Sequence, residues 1–248
     1  MPIEFNDLTF TNLGHASVHI ETSDGQTLYI DPWSEVLGDQ EPHDADIVFV
    51  THDDVDHYDP DAIERVSTDE TTIIAYEGVD TSDLTAAEAV WSLSQNEELT
   101  VDGITVQAIP AYNRADGTHI DENGSPFHAQ GEVIGLWLSI AGTVVYFASD
   151  TDFLDEHEEL SGTVDVFIPP IGGHYTMDRH EAAAFAESLD PSLVLPVHYD
   201  TFEAIETDAD GHSQVKCEFR TGCCEGLLRS IDDFVVVLAA STTTYQVL

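Results

Sequence analysis

Asp46–Val50 reads DIVFV and runs directly into Thr51-His52-Asp53-Asp54-Val55-Asp56-His57. A nearly continuous apolar run of five residues is the pattern of a strand covered on both faces. It ends in a cluster of imidazoles and carboxylates. Four adjacent titratable groups at the end of a buried strand are costly to desolvate unless something binds them. Histidine nitrogen and carboxylate oxygen are the usual ligands of zinc, manganese and iron. His52, Asp54, Asp56 and His57 are therefore candidate metal ligands.

Outward from that stretch the pattern is strands, then helices, then single strands, in both halves of the chain. Leu8–Leu13, Ser17–Glu21 and Thr27–Ile30 are short apolar runs separated by turn residues. Asp59-Pro60 opens a helix through Val66, with Asp as N-cap and Pro in the first turn. Thr72–Ala75 reads as a strand and Asp83–Leu93 as a helix or helical turn. Glu98–Val101, Ile104–Ile109, Val133–Ile140 and Thr143–Ala148 form a second set of strands. Asp102-Gly103 and Ala141-Gly142 mark hairpins within that set. Val164–Ile168 is a strand. Asp178–Leu189 is a helix with Asp178 and Glu181 as capping box, ending at Asp190-Pro191. Ser192–Val197 and Asp233–Ala239 complete the strands. This order predicts an α/β protein, a four-layer αβ/βα sandwich of two mixed β-sheets flanked by helices. No linker or repeat interrupts it, so residues 1–248 are expected to form one domain. Two more strands deliver chemistry at their ends, at Asp150 and His198, and the polar loop 113–130 carries His128.

The set of motifs resembles the metallo-β-lactamase superfamily of hydrolases. THDDVDH at Thr51–His57 resembles its T-H-x-H-x-D-H signature. Gly14-His15-Ala16-Ser17, Ile30-Asp31-Pro32, Ala111-Tyr112-Asn113 with Phe127-His128, Ser149-Asp150-Thr151-Asp152, Ile171-Gly172-Gly173 with Tyr175-Thr176-Met177-Asp178, and Pro196-Val197-His198-Tyr199 follow in order. They are similar to a branch with ascorbate-phosphate lactonase-like and N-acylethanolamine phospholipase D-like proteins. The resemblance implies the sandwich fold with two divalent ions, Zn²⁺ or else Mn²⁺ or Fe²⁺, between the sheets. It implies His52, position 54 and a later histidine at the first ion, Asp56, His57 and His198 at the second, and Asp150 between them. His128 is the choice for the later histidine, although Asn113 lies nearer a strand end. It further implies hydrolysis of an ester, lactone or phosphodiester by a metal-bridging hydroxide, with Asp56 orienting or deprotonating the water.

Asp54 stands where the motif has its second histidine. Either it remains a ligand and adds negative charge, or it falls short and the first ion is weak or absent. The second case leaves an alternative function, a metal-binding relative without hydrolysis that acts in binding or redox sensing. His174, ahead of the helix from Asp178, is a candidate substrate contact, and the helix N-terminus suits an anionic small molecule. His15 and Asp31 read equally as supports of the ligands and as ordinary strand residues. His19, His43, His119, His157, His180 and His212 have no motif and read as surface residues.

The charge describes the environment. Forty-nine acidic residues face six basic ones, a net charge of −43, spread along the chain. Self-repulsion of this size opposes a compact fold, and at about 1 M salt a Debye length of ~3 Å screens it. A halophilic protein is the natural reading, and nucleic acid ranks last among partners. No apolar run reaches the ~18 residues of a membrane span, and Met1–Phe5 has no signal-peptide pattern, so a cytoplasmic location is expected. Cys217, Cys223 and Cys224 read as reduced thiols, without metal-knuckle spacing. Lowering KCl from molar to about 0.1 M should therefore lower the melting temperature, read by circular dichroism, as screening is lost.

Overall fold

The structure is a computed structural model and describes residues 2–85, 87–205 and 237–238. Its first sheet contains β1 (Ile3–Phe5), β2 (Leu8–Gly14), β3 (Ser17–Thr22), β4 (Thr27–Ile30), β5 (Ala45–Val50), β6 (Ser67–Tyr76) and β7 (Ala89–Leu93), with helices α1 (Ser34–Leu37) and α2 (Pro60–Val66) between strands. Its second contains β8 (Glu98–Val101), β9 (Ile104–Ala111), β10 (Val133–Ile140), β11 (Thr143–Phe147), β12 (Val166–Ile168), β13 (Leu193–Val194) and β14 (Val237–Leu238), with α3 (Arg179–Leu189) ahead of β13. Both sheets keep their strands in sequence order. Each begins as an antiparallel meander and turns parallel, at β4–β5 in the first and β11–β12 in the second. The second sheet closes on the antiparallel pair β13–β14.

Period-two alternation explains the layers. In β11 and β12, Val145, Phe147, Val166 and Ile168 join Phe10, Ile20, Leu28 and Phe49 of the first sheet in one inter-sheet core. Tyr146 and Phe167 point the other way and meet Phe185, Ala182 and Leu189 of α3. The Phe167 and Phe185 rings lie 4.7 Å apart, edge to face. Ala62, Ile63 and Val66 of α2 are buried in the core cluster of the first sheet. The expected αβ/βα sandwich is what forms. Among the described residues no helix is long and apolar enough to cross a membrane.

The local signals act as their chemistry dictates. Asp59 Oδ1 accepts from Ala62 N at 3.1 Å, with Pro60 opening α2. Asp178 and Glu181 form the reciprocal box on α3. Asp102-Gly103 and Ala141-Gly142 all have positive φ, as tight hairpins between right-twisted strands require.

Three expectations are corrected. The described residues of 83–93 are not helical; Ala89–Leu93 is a strand pairing in parallel with β6, because Val90 and Trp91 favour the pleated edge that β6 offers. Ser192–Val197 is shorter than expected, with only Leu193–Val194 in regular pairing and a single bridge from Pro170 to Val197. Pro169, Pro170 and Pro196 carry no N–H, so the ladder lapses there. His119 and His157 are buried rather than on the surface. Cys217, Cys223, Cys224, His212 and all of 233–239 except Val237–Leu238 lie outside the described residues.

His157 Nε2 donates to Pro110 O at 2.8 Å while Nδ1 accepts from Leu154 N at 3.3 Å. Burial depresses its pKa below the usual 6.5. Its contribution to stability is complete above pH 6.5 and declines on acidification, because the unfolded chain takes up a proton that the folded one excludes. Denaturant titrations at pH 7.5 and 5.5 should show His157→Gln less stable by about 1–2 kcal/mol at the higher pH and less sensitive to acid than wild type.

Candidate metal centre

The ends of β5 and β11, the segment after β13 and the β2–β3 turn meet at one rim of the sandwich. Hydrogen bonds join the two halves there, three of them between the strand ends and the turn. Ser149 Oγ donates to Thr51 Oγ1 at 2.8 Å, His198 N to His15 O at 2.8 Å, and Ile134 N to Thr51 O at 3.3 Å. Four non-glycine residues of this rim, His15, Asp31, Ser149 and His198, have φ between 45° and 57°. Left-handed backbone costs an L-residue about 1 kcal/mol or more, and such residues gather where geometry must be forced. Gly172 packs so close that an added Cβ would lie 2.5 Å from His198 O.

Within the rim, His52, His57, Asp150 and His198 converge. Asp150 Oδ1 lies 3.5 Å from His57 Nε2, and its Oδ2 lies 3.1 Å from His198 Nε2 and 3.4 Å from His128 Nε2. Asp54 Oδ2 lies 3.3 Å from His128 Nε2 and 3.6 Å from His52 Nε2. Asp56 Oδ2 lies 3.8 Å from His198 Nε2. Three sets of ligand atoms each fall within 4.8 Å of one another: His52 with Asp54 and His128, His52 with His57 and Asp150, and His57 with Asp56, His198 and His15.

The hydrogen bonds behind the rings set their tautomers. Asp31 is fully buried; it accepts from Thr51 N at 2.9 Å, from Thr51 Oγ1 at 2.7 Å and from His57 Nδ1 at 2.7 Å. With its one proton given to Asp31, Thr51 Oγ1 can only accept from His52 Nδ1, 3.0 Å away. His128 Nδ1 donates to Asn113 Oδ1 at 3.1 Å. The Nε2 atoms of His52, His57 and His128 thus face inward, the positions from which each ring would bind a cation once its Nε2 is unprotonated. His52 Nε2, His57 Nε2, Asp150 Oδ1 and both ring nitrogens of His198 are buried without hydrogen-bond partners among the described residues. Unpaired atoms of this kind are costly in a native interior, and convergent imidazole lone pairs beside carboxylates are the donor set of a divalent cation. The residues fit a metal.

Comparison with known proteins agrees. Residues 9–198 match the family model described as the β-lactamase superfamily domain. The chain belongs to the metallo-β-lactamase superfamily. It is 32% identical over 203 residues to a UPF0173 metal-dependent hydrolase of Methanosphaerula palustris, covering 81% of this chain and 88% of that one. It is 33% identical over 207 residues to another from Thermococcus kodakarensis, covering 80% and 87%. Among solved structures it resembles a metal-dependent hydrolase from Parabacteroides distasonis (27% identity, TM-score 0.67, covering 82% and 90%). It also resembles Igni18, a metallo hydrolase from Ignicoccus hospitalis (26%, TM-score 0.63, covering 82% and 87%).

Electrostatics in this metallo-β-lactamase-superfamily site follow from the crowding of carboxylates and rings. Burial opposes a proton on His57, yet Asp150, Asp31 and Asp56 overcome it and raise the pKa to about 10. Contacts with His128 and His52 hold Asp54 far below the usual carboxylate range. Burial opposes ionisation of Asp150, and His198 and His57 outweigh it. For Asp56 burial is likewise opposed, by His15, whose Nε2 donates to Asp56 Oδ2 at 2.8 Å. Burial holds His15 itself near 4. The field is that of a cation receptor.

Several contributors were given no supporting role from sequence. Asn113 accepts from both N and Nδ1 of His128, and its Nδ2 donates to Asp152 Oδ1 at 3.0 Å. Asp152 is held in turn by Arg114 N at 2.8 Å and His119 Nδ1 at 2.6 Å. Asn113 therefore stands behind the His128 ring, and His119, expected on the surface, is buried at the end of this chain. His174 is exposed, with its ring 5.2 Å from that of Phe127, the neighbour of His128. Asn113→Leu removes the acceptor behind His128 and should weaken metal affinity by about 10–100-fold. Competition with a chromogenic chelator reads this, and unchanged far-ultraviolet circular dichroism should accompany it.

Proposed function

We propose that this metal-dependent hydrolase uses two divalent ions to cleave an ester, lactone or phosphodiester. The observation that carries the reading is the convergence of buried, unpartnered atoms from His52, His57, Asp150 and His198. His52, Asp54 and His128 would hold one ion, Asp56, His57 and His198 the other, with Asp150 between. The distances from Asp54 to His128 and His52 support the carboxylate as a working substitute for histidine. Three carboxylates favour harder ions, so Mn²⁺ and Fe²⁺ join Zn²⁺ as candidates. Bound there, the ions would supply a water of lowered pKa and a Lewis acid for the scissile group.

The chain's own groups do the rest. His15 pins Asp56 Oδ2, leaving Oδ1 to orient the attacking water and take its proton. Asp31 and Thr51 keep the protons of His57 and His52 on the outward nitrogens. His174, exposed near Phe127, would contact the part of the substrate outside the centre. The ion-free field, which holds Asp54, Asp56 and Asp150 ionised, favours loading by cations. The charge of −43 supports a cytoplasm rich in salt as the working environment.

Protein purified in concentrated KCl should carry two divalent ions by elemental analysis and hydrolyse members of a p-nitrophenyl ester, lactone and bis-p-nitrophenyl phosphate panel. Chelation should abolish turnover and added metal restore it. Asp54→Ala should lose one ion and about a hundredfold or more in kcat/KM. One ion in the wild type and no turnover across the panel would support the non-hydrolytic relative instead.

A further inference from the structure

A cavity of about 330 Å³ opens beside the first-ion ligands and is lined by His52, Asp54 and His128 together with Asp53, Glu132 and Phe127. His52, whose Nε2 is buried without a partner among the described residues, Asp54 and His128 all border this cleft, so a ligand seated in it lies against the first-ion position. No lysine or arginine lines it among the described residues. Tyr76 also borders the cleft, but its hydroxyl already donates to Gly131 O at 2.5 Å. We propose that this cleft selects carboxylic esters or lactones whose acyl portion is neutral or cationic and excludes anionic ones, phosphodiesters included. The proposal rests on the hydrolytic reading above and narrows its substrate class.

Three observations carry it. First, Asp54, Asp56 and Asp150 together offset all but one of the positive charges that two divalent ions bring. A histidine at position 54 would leave one more positive charge to attract an anion. Second, Asp53 and Glu132 place two more carboxylates at the mouth, both exposed. A carboxylate about 4 Å from a like charge costs ~1 kcal/mol even in water, and more where the walls exclude it. In molar salt the Debye length is ~3 Å, so this repulsion acts on a ligand seated in the cleft and not on one approaching from afar.

Third, the α3 N-terminus, Arg65 and Arg114, donors among the described residues that could receive an anion, are engaged elsewhere. The N-terminus of α3, the feature that suggested an anionic ligand, gives His180 N and Glu181 N to Asp178 Oδ1 at 2.7 and 2.9 Å. Glu181 returns to Asp178 N at 2.8 Å. That terminus already holds two carboxylates of its own. Arg65 donates to Gly38 O at 2.6 Å, and Arg114 pairs with Asp155 at 3.1 Å and Asp116 at 3.5 Å. Phe127 and Val133 supply the apolar wall against which an acyl chain would lie.

Hydroxamic acids bind metal centres without being turned over, so they read the preference whether or not the chain hydrolyses a given ester. Calorimetric titration of the metal-loaded full chain in 2 M and about 0.5 M KCl would use hexanohydroxamic acid and its terminal-amine and terminal-carboxylate analogues. The carboxylate analogue should bind about fivefold or more weakly than the other two, with the gap wider at lower salt. In Glu132→Gln, which keeps an acceptor for Ala129 N, and in Asp53→Asn, the gap should narrow. Equal or tighter binding of the carboxylate analogue would overturn the proposal, as would a gap that neither substitution changes. Failure of hydrolysis in the ester panel, with the hydroxamate preference intact, would instead count against the catalytic reading alone.

Discussion

One buried carboxylate organises this molecule. Asp31 sits without solvent exposure at the end of β4 and spends its oxygens on Thr51 N, Thr51 Oγ1 and His57 Nδ1. A buried charge is tolerable only where it is fully partnered, and here the partners are the first and last residues of the THDDVDH loop. The same acceptance commits the proton of Thr51, and that commitment determines which nitrogen of His52 faces inward. A single desolvated anion thus fixes the loop's path and the tautomers of two rings. Asn113 does the equivalent for His128 from the second sheet.

The duplicated plan of the sheets explains why such a loop can exist. Each sheet starts as a meander and then turns parallel, so strands β4, β5, β11 and β12 run alongside a neighbour in the same direction. Parallel strands send their ends to a common edge, and the two edges face each other across the core. Chemistry carried by residues almost one hundred and fifty positions apart meets because the strands leading to it are packed, not because the loops seek each other. The left-handed backbone at His15, Asp31, Ser149 and His198 is the local cost of turning chains sharply out of those strands. Ser149 repays part of it through its bond to Thr51 Oγ1.

Much of this was legible in the sequence, for reasons that can be named. DIVFV announced a strand buried on both faces, and the caps at Asp59 and Asp178 fixed two helix starts within a residue, since both act over three or four positions. The Ala89–Leu93 strand was not legible, because its alternation is weak and its conformation comes from the open edge of β6. The truncation of β13 required knowing that Pro196 would face Pro169 and Pro170 across a pair of strands. At the site, His52, Asp54, His57, Asp150 and His198 stood out because ligand-type residues followed apolar runs. The supporting roles of Asn113, Asp152 and His119 did not. Their roles depend on a loop folding back on itself, a relation between side chains that no spacing encodes. His119 was set aside for want of a motif, yet it closes a hydrogen-bond chain leading to the His128 ring.

The hydrogen bonds across the rim, from Ser149 to Thr51 and from His198 to His15, have a mechanical meaning. They sit where cations would draw ligands from both sheets at once, so an occupied centre would act as a rivet through the two halves. Whatever binds only the assembled rim stabilises the whole sandwich by mass action. The halves would then part only after the ions leave, and survival of the fold in so acidic a chain would be tied to the metal supply of the cell.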